Sequence, residues 1–175
     1  MTKIISVFFI ALILFVSGVS YAAKGVYQTP NAFINSVFEG KESEAKVVWL
    51  NTQDKADIAD IMQHKFNRMR IRYWLLDNET VWILDEIGKE KPITIGVHIK
   101  EQKIENFKVL TFRESRGDEV RHDFYTKQFL NAALTQNNQL TQHVDGITGA
   151  TLSVRATTKV ARLALWLNAK VISEE

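Results

Sequence analysis

The sequence predicts an α+β fold in which an antiparallel sheet of hairpins is packed with helices. Segment 70–76 alternates Ile71, Tyr73 and Leu75 with Arg70, Arg72 and Trp74, which is typical of a half-buried strand, and segment 80–87 is expected to return as its partner strand. Asp77-Asn78 lies between them and is typical of a tight hairpin turn. Segment 152–171 instead repeats its apolar residues at helical spacing. We therefore expect one domain, with a meandering sheet covered by helices on one face.

The other elements follow from caps, composition and turn residues. Thr29 and Pro30 are a typical helix start, since threonine is a favoured N-cap and proline a favoured first residue; Gly40 is a typical stop. Glu101-Gln102 predicts a second hairpin turn, and Pro92 is expected outside the central ladder. The remaining predicted elements are strands at 45–50, 93–100 and 103–112, helices at 54–69 and 120–134, and a loop at 135–142.

Composition excludes several classes of protein. A chain of 175 residues with 46% apolar content fits a single globular domain. The 22 basic and 20 acidic residues give a net charge of +2 and form no basic stripe, so we expect no nucleic-acid partner. Cysteine is absent, which excludes disulfides and thiolate-held metals or clusters. The histidines show no spacing typical of metal ligands, and we assign no metal.

The N-terminus has the pattern of an export signal. Lys3 precedes a nearly continuous apolar run over residues 4–19, and Ser20-Tyr21-Ala22 offers small residues before a cleavage point. We expect a signal peptide at 1–22, with an uncleaved anchor as the alternative. Either outcome places the domain, residues 23–175, in the periplasm or on the extracytoplasmic face of the membrane.

A short glycine-containing segment precedes the last predicted helix. Gly146 and Gly149 allow unusual backbone dihedrals and close approach to a ligand, and Thr151 follows directly. The free N–H groups and positive dipole end of a helix start favour a phosphate there. A glycine turn in which Thr148 or Thr151 is an ordinary N-cap explains the same residues. The residues alone leave both interpretations open.

The same segment resembles a known motif. Asp145, Thr148, Gly149, Ala150 and Thr151 fill every specified position of Asp-x-x-Ser/Thr-Gly-Ala-Thr, the flavinylation motif of the FMN-binding domain family. That family includes the periplasmic FMN subunits of the sodium-pumping quinone reductase and Rnf complexes. The resemblance implies that a flavin transferase, with FAD as donor, joins FMN covalently to Thr151 by a phosphoester bond. The other four residues are then the recognition positions around the acceptor.

A second, looser resemblance lies upstream. The segment from Glu114 to Gly117 is similar to the family's Glu-Thr-Pro-Gly segment, with Ser115 and Arg116 in place of threonine and proline. The resemblance implies that Glu114 and Gly117 lie near the flavin. Together the two similarities indicate an FMN-binding part at about residues 93–170.

These observations predict an extracytoplasmic electron carrier or redox subunit rather than a stand-alone enzyme, and no catalytic side chain is assigned. The expected partners are the flavin transferase and a membrane-bound redox protein. Two alternatives stay open. One is a periplasmic binding or scaffold module that never receives FMN, and the other is a flavin-dependent reductase of a small acceptor.

Overall fold

Five antiparallel strands form one sheet, and each strand pairs with its neighbour in the chain. The structure is a computed structural model that describes residues 25–173, so the predicted signal peptide at 1–22 lies outside the described residues. The strands are β1 (Glu44–Trp49), β2 (Arg70–Leu76), β3 (Glu79–Ile87), β4 (Pro92–Lys100) and β5 (Lys103–Thr111). The predicted meandering sheet of hairpins is confirmed.

Two tight turns set the register of the hairpins. Asp77 and Asn78 have φ of 48° and 64°, and Glu101 and Gln102 have φ of 48° and 62°. Two successive left-handed residues give a turn whose twist matches that of the flanking strands. Both predicted two-residue turns are therefore confirmed. Pro92 opens β4, where its missing N–H interrupts no central part of the ladder.

Four α-helices accompany the sheet within residues 25–173. They are α1 (Pro30–Val37), α2 (Thr52–Met62), α3 (Asp123–Thr126) and α4 (Thr151–Ser173). The predicted start of α1 is confirmed, because the Thr29 side chain accepts a hydrogen bond from the Ala32 N–H at 3.2 Å. None of the helices in this range is long and apolar enough to span a bilayer.

The expectation that helices cover one face of the sheet is wrong. Helices α2 and α4 pack on the face that carries Trp82 and Ile95. Helix α1 lies on the other face, where the buried ring of Phe33 packs against Gly96. The reason is that β3 and β5 are apolar on both faces: Val81 and Leu110 join Phe33 in a second small core.

Helix α2 is shorter than the predicted 54–69. It ends at Met62, because Gln63 takes a left-handed conformation with φ 55° and ψ 31°. Phe66 still packs against the main core after the chain has left the helix. Met69, predicted on the apolar face, is instead 65% exposed.

The prediction of a single helix over residues 120–134 is also wrong. The chain forms short turns at Asp118–Arg121, Asp123–Thr126 and Lys127–Phe129. Extended backbone at His122 (ψ 152°) and Leu130 (ψ 138°) interrupts any longer helix. Directly afterwards the Asn131 N–H donates to the Ile104 carbonyl at 2.8 Å. Pairing with the start of β5 therefore competes with helix propagation, and the apolar spacing alone did not reveal it.

Candidate functional site

Helix α4 begins directly after an alanine. The Ala150 carbonyl accepts a hydrogen bond from the Val154 N–H at 2.9 Å, which places Ala150 at the N-cap and Thr151 at the first helical position. Alanine has no side-chain acceptor for the N–H groups of the first turn. Gly149, with φ 85°, brings the chain into the helix. The start of a 23-residue helix thus keeps donors available for an anion.

A cleft of about 530 Å³ lies in front of this helix start. Its walls come from Lys89 in the β3–β4 turn, from Glu114, Ser115 and Arg116 after β5, and from residues 149–153. The volume is within the roughly 300–1,000 Å³ of small-molecule sites. Thr151 is exposed and lines the cleft, so its hydroxyl is accessible to a ligand.

Glu114 joins two walls of the cleft. Its Oε1 accepts hydrogen bonds from the backbone N–H groups of Lys89, Glu90 and Lys91, at 2.5, 2.6 and 2.9 Å. Burial alone would raise the pKa of Glu114, but these donors and the nearby Lys91 charge outweigh it and hold the pKa below its ordinary value. The carboxylate therefore ties the β3–β4 turn to the segment after β5.

Gly117 lies behind the cleft and does not line it. Its φ of 89° is left-handed, and a Cβ placed there would lie 2.6 Å from the Ser153 Oγ and 3.5 Å from the Ala150 Cα. The segment after β5 thus packs directly against the start of α4. Gly117 allows this close approach, which is a structural role.

Two basic side chains line the cleft, and the sequence did not predict either of them as a site residue. Lys89 forms an ion pair with Glu90 at 3.2 Å, with both side chains about 70% exposed, and Arg116 is exposed. Arg116 could have been singled out, because it lies inside the segment that resembles the family. Lys89 gave no such signal, since only the fold brings the β3–β4 turn beside Thr151.

Asp145 and Thr148 do not line the cleft. Both are exposed on the loop that leads into α4. The Asp145 N–H donates to the Gln128 side chain at 2.7 Å, and its carboxylate lies 3.6 Å from His143 Nε2. Of the predicted site residues, the cleft therefore collects Glu114, Gly149, Ala150 and Thr151. Asp145 and Thr148 stay on the adjoining surface, and Gly117 stays behind the wall.

A buried tyrosine supports the first turns of α4 from the core side. The Tyr125 hydroxyl lies 2.6 Å from Thr157 Oγ1 and 3.4 Å from the Val154 carbonyl. Burial raises the pKa of Tyr125 to about 12, although the hydroxyls of Thr157 and Thr158 act in the opposite direction. The helix start is therefore held against both the core and the segment after β5.

The chain matches one known family over this region. Residues 88–165 match the family described as FMN-binding domain. That range contains all three walls of the cleft, from Lys89 to residues 149–153, together with the motif at 145–151. Searches of curated proteins and of solved structures found no match. The resemblance recognised in the sequence is confirmed, because residues 88–165 match the FMN-binding domain family, and this match supports a flavin-binding protein.

Proposed function

We propose that this chain is an extracytoplasmic electron-transfer flavoprotein that carries FMN on Thr151 through a phosphoester bond. One observation carries the proposal: the exposed Thr151 hydroxyl is at the first position of α4 and lines a cleft of about 530 Å³ inside an FMN-binding domain.

The surroundings of Thr151 suit a phosphate. The N–H groups of the first helical turn face the same end as the positive pole of the helix dipole. A negative charge there is stabilised by about 0.3–1 kcal/mol, and by up to ~2 kcal/mol when partly buried. Lys89 and Arg116 add positive charge on the facing walls. These residues could hold the phosphodiester, while the remaining cleft volume receives the rest of the flavin.

The reacting group that this chain supplies is the Thr151 hydroxyl. The Thr151 oxygen forms a bond to the FMN phosphorus of FAD, the bond from that phosphorus to the bridging oxygen breaks, and AMP leaves with that oxygen. The hydroxyl proton is released. A flavin transferase is the partner that catalyses this exchange. Asp145 and Thr148, exposed beside the cleft, are free to contact that enzyme.

The bound flavin would supply transfer of one or two electrons at a time. The chain's own residues, Lys89 and Arg116 with the start of α4, would hold the phosphate, and the flavin in the cleft would exchange electrons with a redox partner, which we propose to be membrane-bound. A covalent bond is useful outside the cytoplasmic membrane, because a dissociated flavin would diffuse away there.

Intact mass tests the attachment. The full chain is produced with a flavin transferase in an exporting host, and we expect a mass increase of one FMN less one water. Thr151→Ala should abolish the increase, and Thr151→Ser should retain it because a hydroxyl is kept. Ser115→Ala is the matched control, since Ser115 is another exposed hydroxyl lining the cleft.

Three results would contradict the proposal. An unmodified chain in a host with active transferase would favour a binding or scaffold module. A flavin label that persists in Thr151→Ala and is lost in Ser115→Ala would identify Ser115, and not Thr151, as the acceptor. Steady turnover of a small soluble acceptor without a membrane partner would instead make the protein a reductase.

A further inference from the structure

The β3–β4 turn is held by a single carboxylate oxygen. Three successive N–H groups, those of Lys89, Glu90 and Lys91, converge on Oε1 of Glu114. Within residues 25–173, a single backbone–backbone hydrogen bond closes this turn, from the Gly88 N–H to the Lys91 carbonyl at 3.2 Å. Gly88 is also tightly packed, since a Cβ there would lie 3.1 Å from Oε1 of Glu114. The turn's geometry therefore depends on Glu114.

Of the three residues that donate to Glu114, Lys89 is the one that lines the cleft. Its ammonium pairs with Glu90, but exposed ion pairs of this kind contribute little free energy because water screens them. The pair therefore does not prevent Lys89 from turning to a bound anion. What fixes the Lys89 backbone beside the cleft is the hydrogen bond from its N–H to Glu114.

We propose that Glu114 is a positioning residue that holds Lys89 at the cleft, where the Lys89 ammonium selects a flavin that bears a phosphate. The inference rests on the proposed placement of the FMN phosphate at the start of α4, but not on the covalent bond. It assigns Glu114 to the turn rather than to contact with the flavin ring.

The charge of Glu114 matters for this role. Hydrogen bonds to an ionised acceptor are roughly twice as strong as neutral ones. Three such donors on one oxygen keep the carboxylate ionised, which agrees with the lowered pKa of Glu114. Glutamine has the same shape and keeps one carbonyl oxygen, so Glu114→Gln weakens these three hydrogen bonds with little change in volume.

The test uses the chain made without a flavin transferase, so that Thr151 is unmodified. FMN and riboflavin are titrated separately by fluorescence, and the ratio of their dissociation constants measures the preference for phosphate. We expect the wild type to prefer FMN, and Lys89→Gln to reduce that preference about tenfold because a close positive charge is lost. Glu114→Gln should reduce it similarly although it removes a negative charge, because Lys89 is then no longer held beside the cleft. Glu119→Gln, an exposed glutamate on the neighbouring turn, is the matched control and should leave it unchanged.

Double variants separate positioning from a general loss of charge. In the double variant, Glu114→Gln should not reduce the preference for FMN below that of Lys89→Gln alone, because both substitutions act through the Lys89 ammonium. The effects of Glu114→Gln and Arg116→Gln on the preference for FMN should be fully additive, because Arg116 is on the other wall of the cleft. In the unliganded protein, hydrogen exchange at the amides of residues 89–91 should accelerate in Glu114→Gln and not in Lys89→Gln.

Several outcomes would overturn the inference. They are a wild type without preference for FMN over riboflavin, full additivity of Glu114→Gln with Lys89→Gln, and unchanged amide exchange at residues 89–91 in Glu114→Gln. Failure of the covalent proposal is distinguishable, because it appears as an unmodified intact mass while the preference for FMN and its loss in the variants remain.

Discussion

Replacement of Gly117 by alanine should destabilise the junction between the segment after β5 and the start of α4. The backbone there has φ 89°, and the added methyl group would lie 2.6 Å from the Ser153 Oγ. Gly149, with φ 85°, has no atom within 4 Å of such a methyl group, and Gly146 has neither constraint. The three glycines therefore separate dihedral strain from steric conflict.

The expected magnitudes follow from these differences. A left-handed alanine costs about 1–2 kcal/mol, and the reduced freedom of the unfolded chain returns about 0.4–1 kcal/mol. Gly149→Ala should thus lose roughly 0–1.5 kcal/mol in its free energy of unfolding. Overpacking adds about 1–3 kcal/mol at Gly117, for a total of roughly 1–4.5 kcal/mol. Gly146→Ala should be neutral or gain up to about 1 kcal/mol.

Urea unfolding of the three variants measures this order. The free energy of unfolding should rank Gly146→Ala highest, then Gly149→Ala, then Gly117→Ala. Adding Ser153→Ala to Gly117→Ala should recover part of the loss, because the clashing Oγ is removed. Equal stability of Gly117→Ala and Gly149→Ala, with no recovery in the double variant, would refute the steric argument.

Three further predictions concern the rest of the fold. The hydrogen bond to Glu86 at 3.1 Å raises the pKa of His64 above its usual 6.5. The contribution of this hydrogen bond to the free energy of unfolding is therefore complete below pH 6.5, and it is lost as the pH rises through the raised pKa of His64. Urea midpoints should fall over that interval in the wild type but not in Glu86→Gln. Gly96→Ala should cost about 1–3 kcal/mol, because its methyl would lie 2.5 Å from the buried Phe33 ring; Phe33→Leu should restore part of this by urea unfolding. Tyr125→Phe should lose about 0.5–1.5 kcal/mol, and absorbance titration of the wild type should show one tyrosine ionising only at about pH 12, a step absent from the variant.

The hairpins could be predicted because their signals are local. Alternating polarity fixes the two faces of a strand, and dipeptides such as Asp77-Asn78 adopt the left-handed pair that a two-residue turn needs. The helix expected at 120–134 failed for the opposite reason. Its apolar spacing reports which residues are buried, whereas the bond from Asn131 to Ile104 depends on a partner far away in the chain.

In the candidate site, too, the residues with a local sequence signal could be predicted, and those whose position depends on the fold could not. Thr151 could be placed at a helix start from Gly149 and the apolar pattern that follows. Lys89 could not be assigned, because its position beside Thr151 results from the β3–β4 turn and from three hydrogen bonds to Glu114. The resemblance singled out Glu114, but its part in the structure is visible only when the turn and the carboxylate are seen together.

The order of the sheet has a consequence for when the cleft can exist during folding. Every pair of adjacent strands is also consecutive in the chain, so the hairpins can form early and at low entropic cost. Helix α4 must then dock across β3 and β4 before residues 149–153 meet the β3–β4 turn. The cleft is thus completed late, and under the proposed function we expect the flavin transferase to encounter it only on a chain that has already folded.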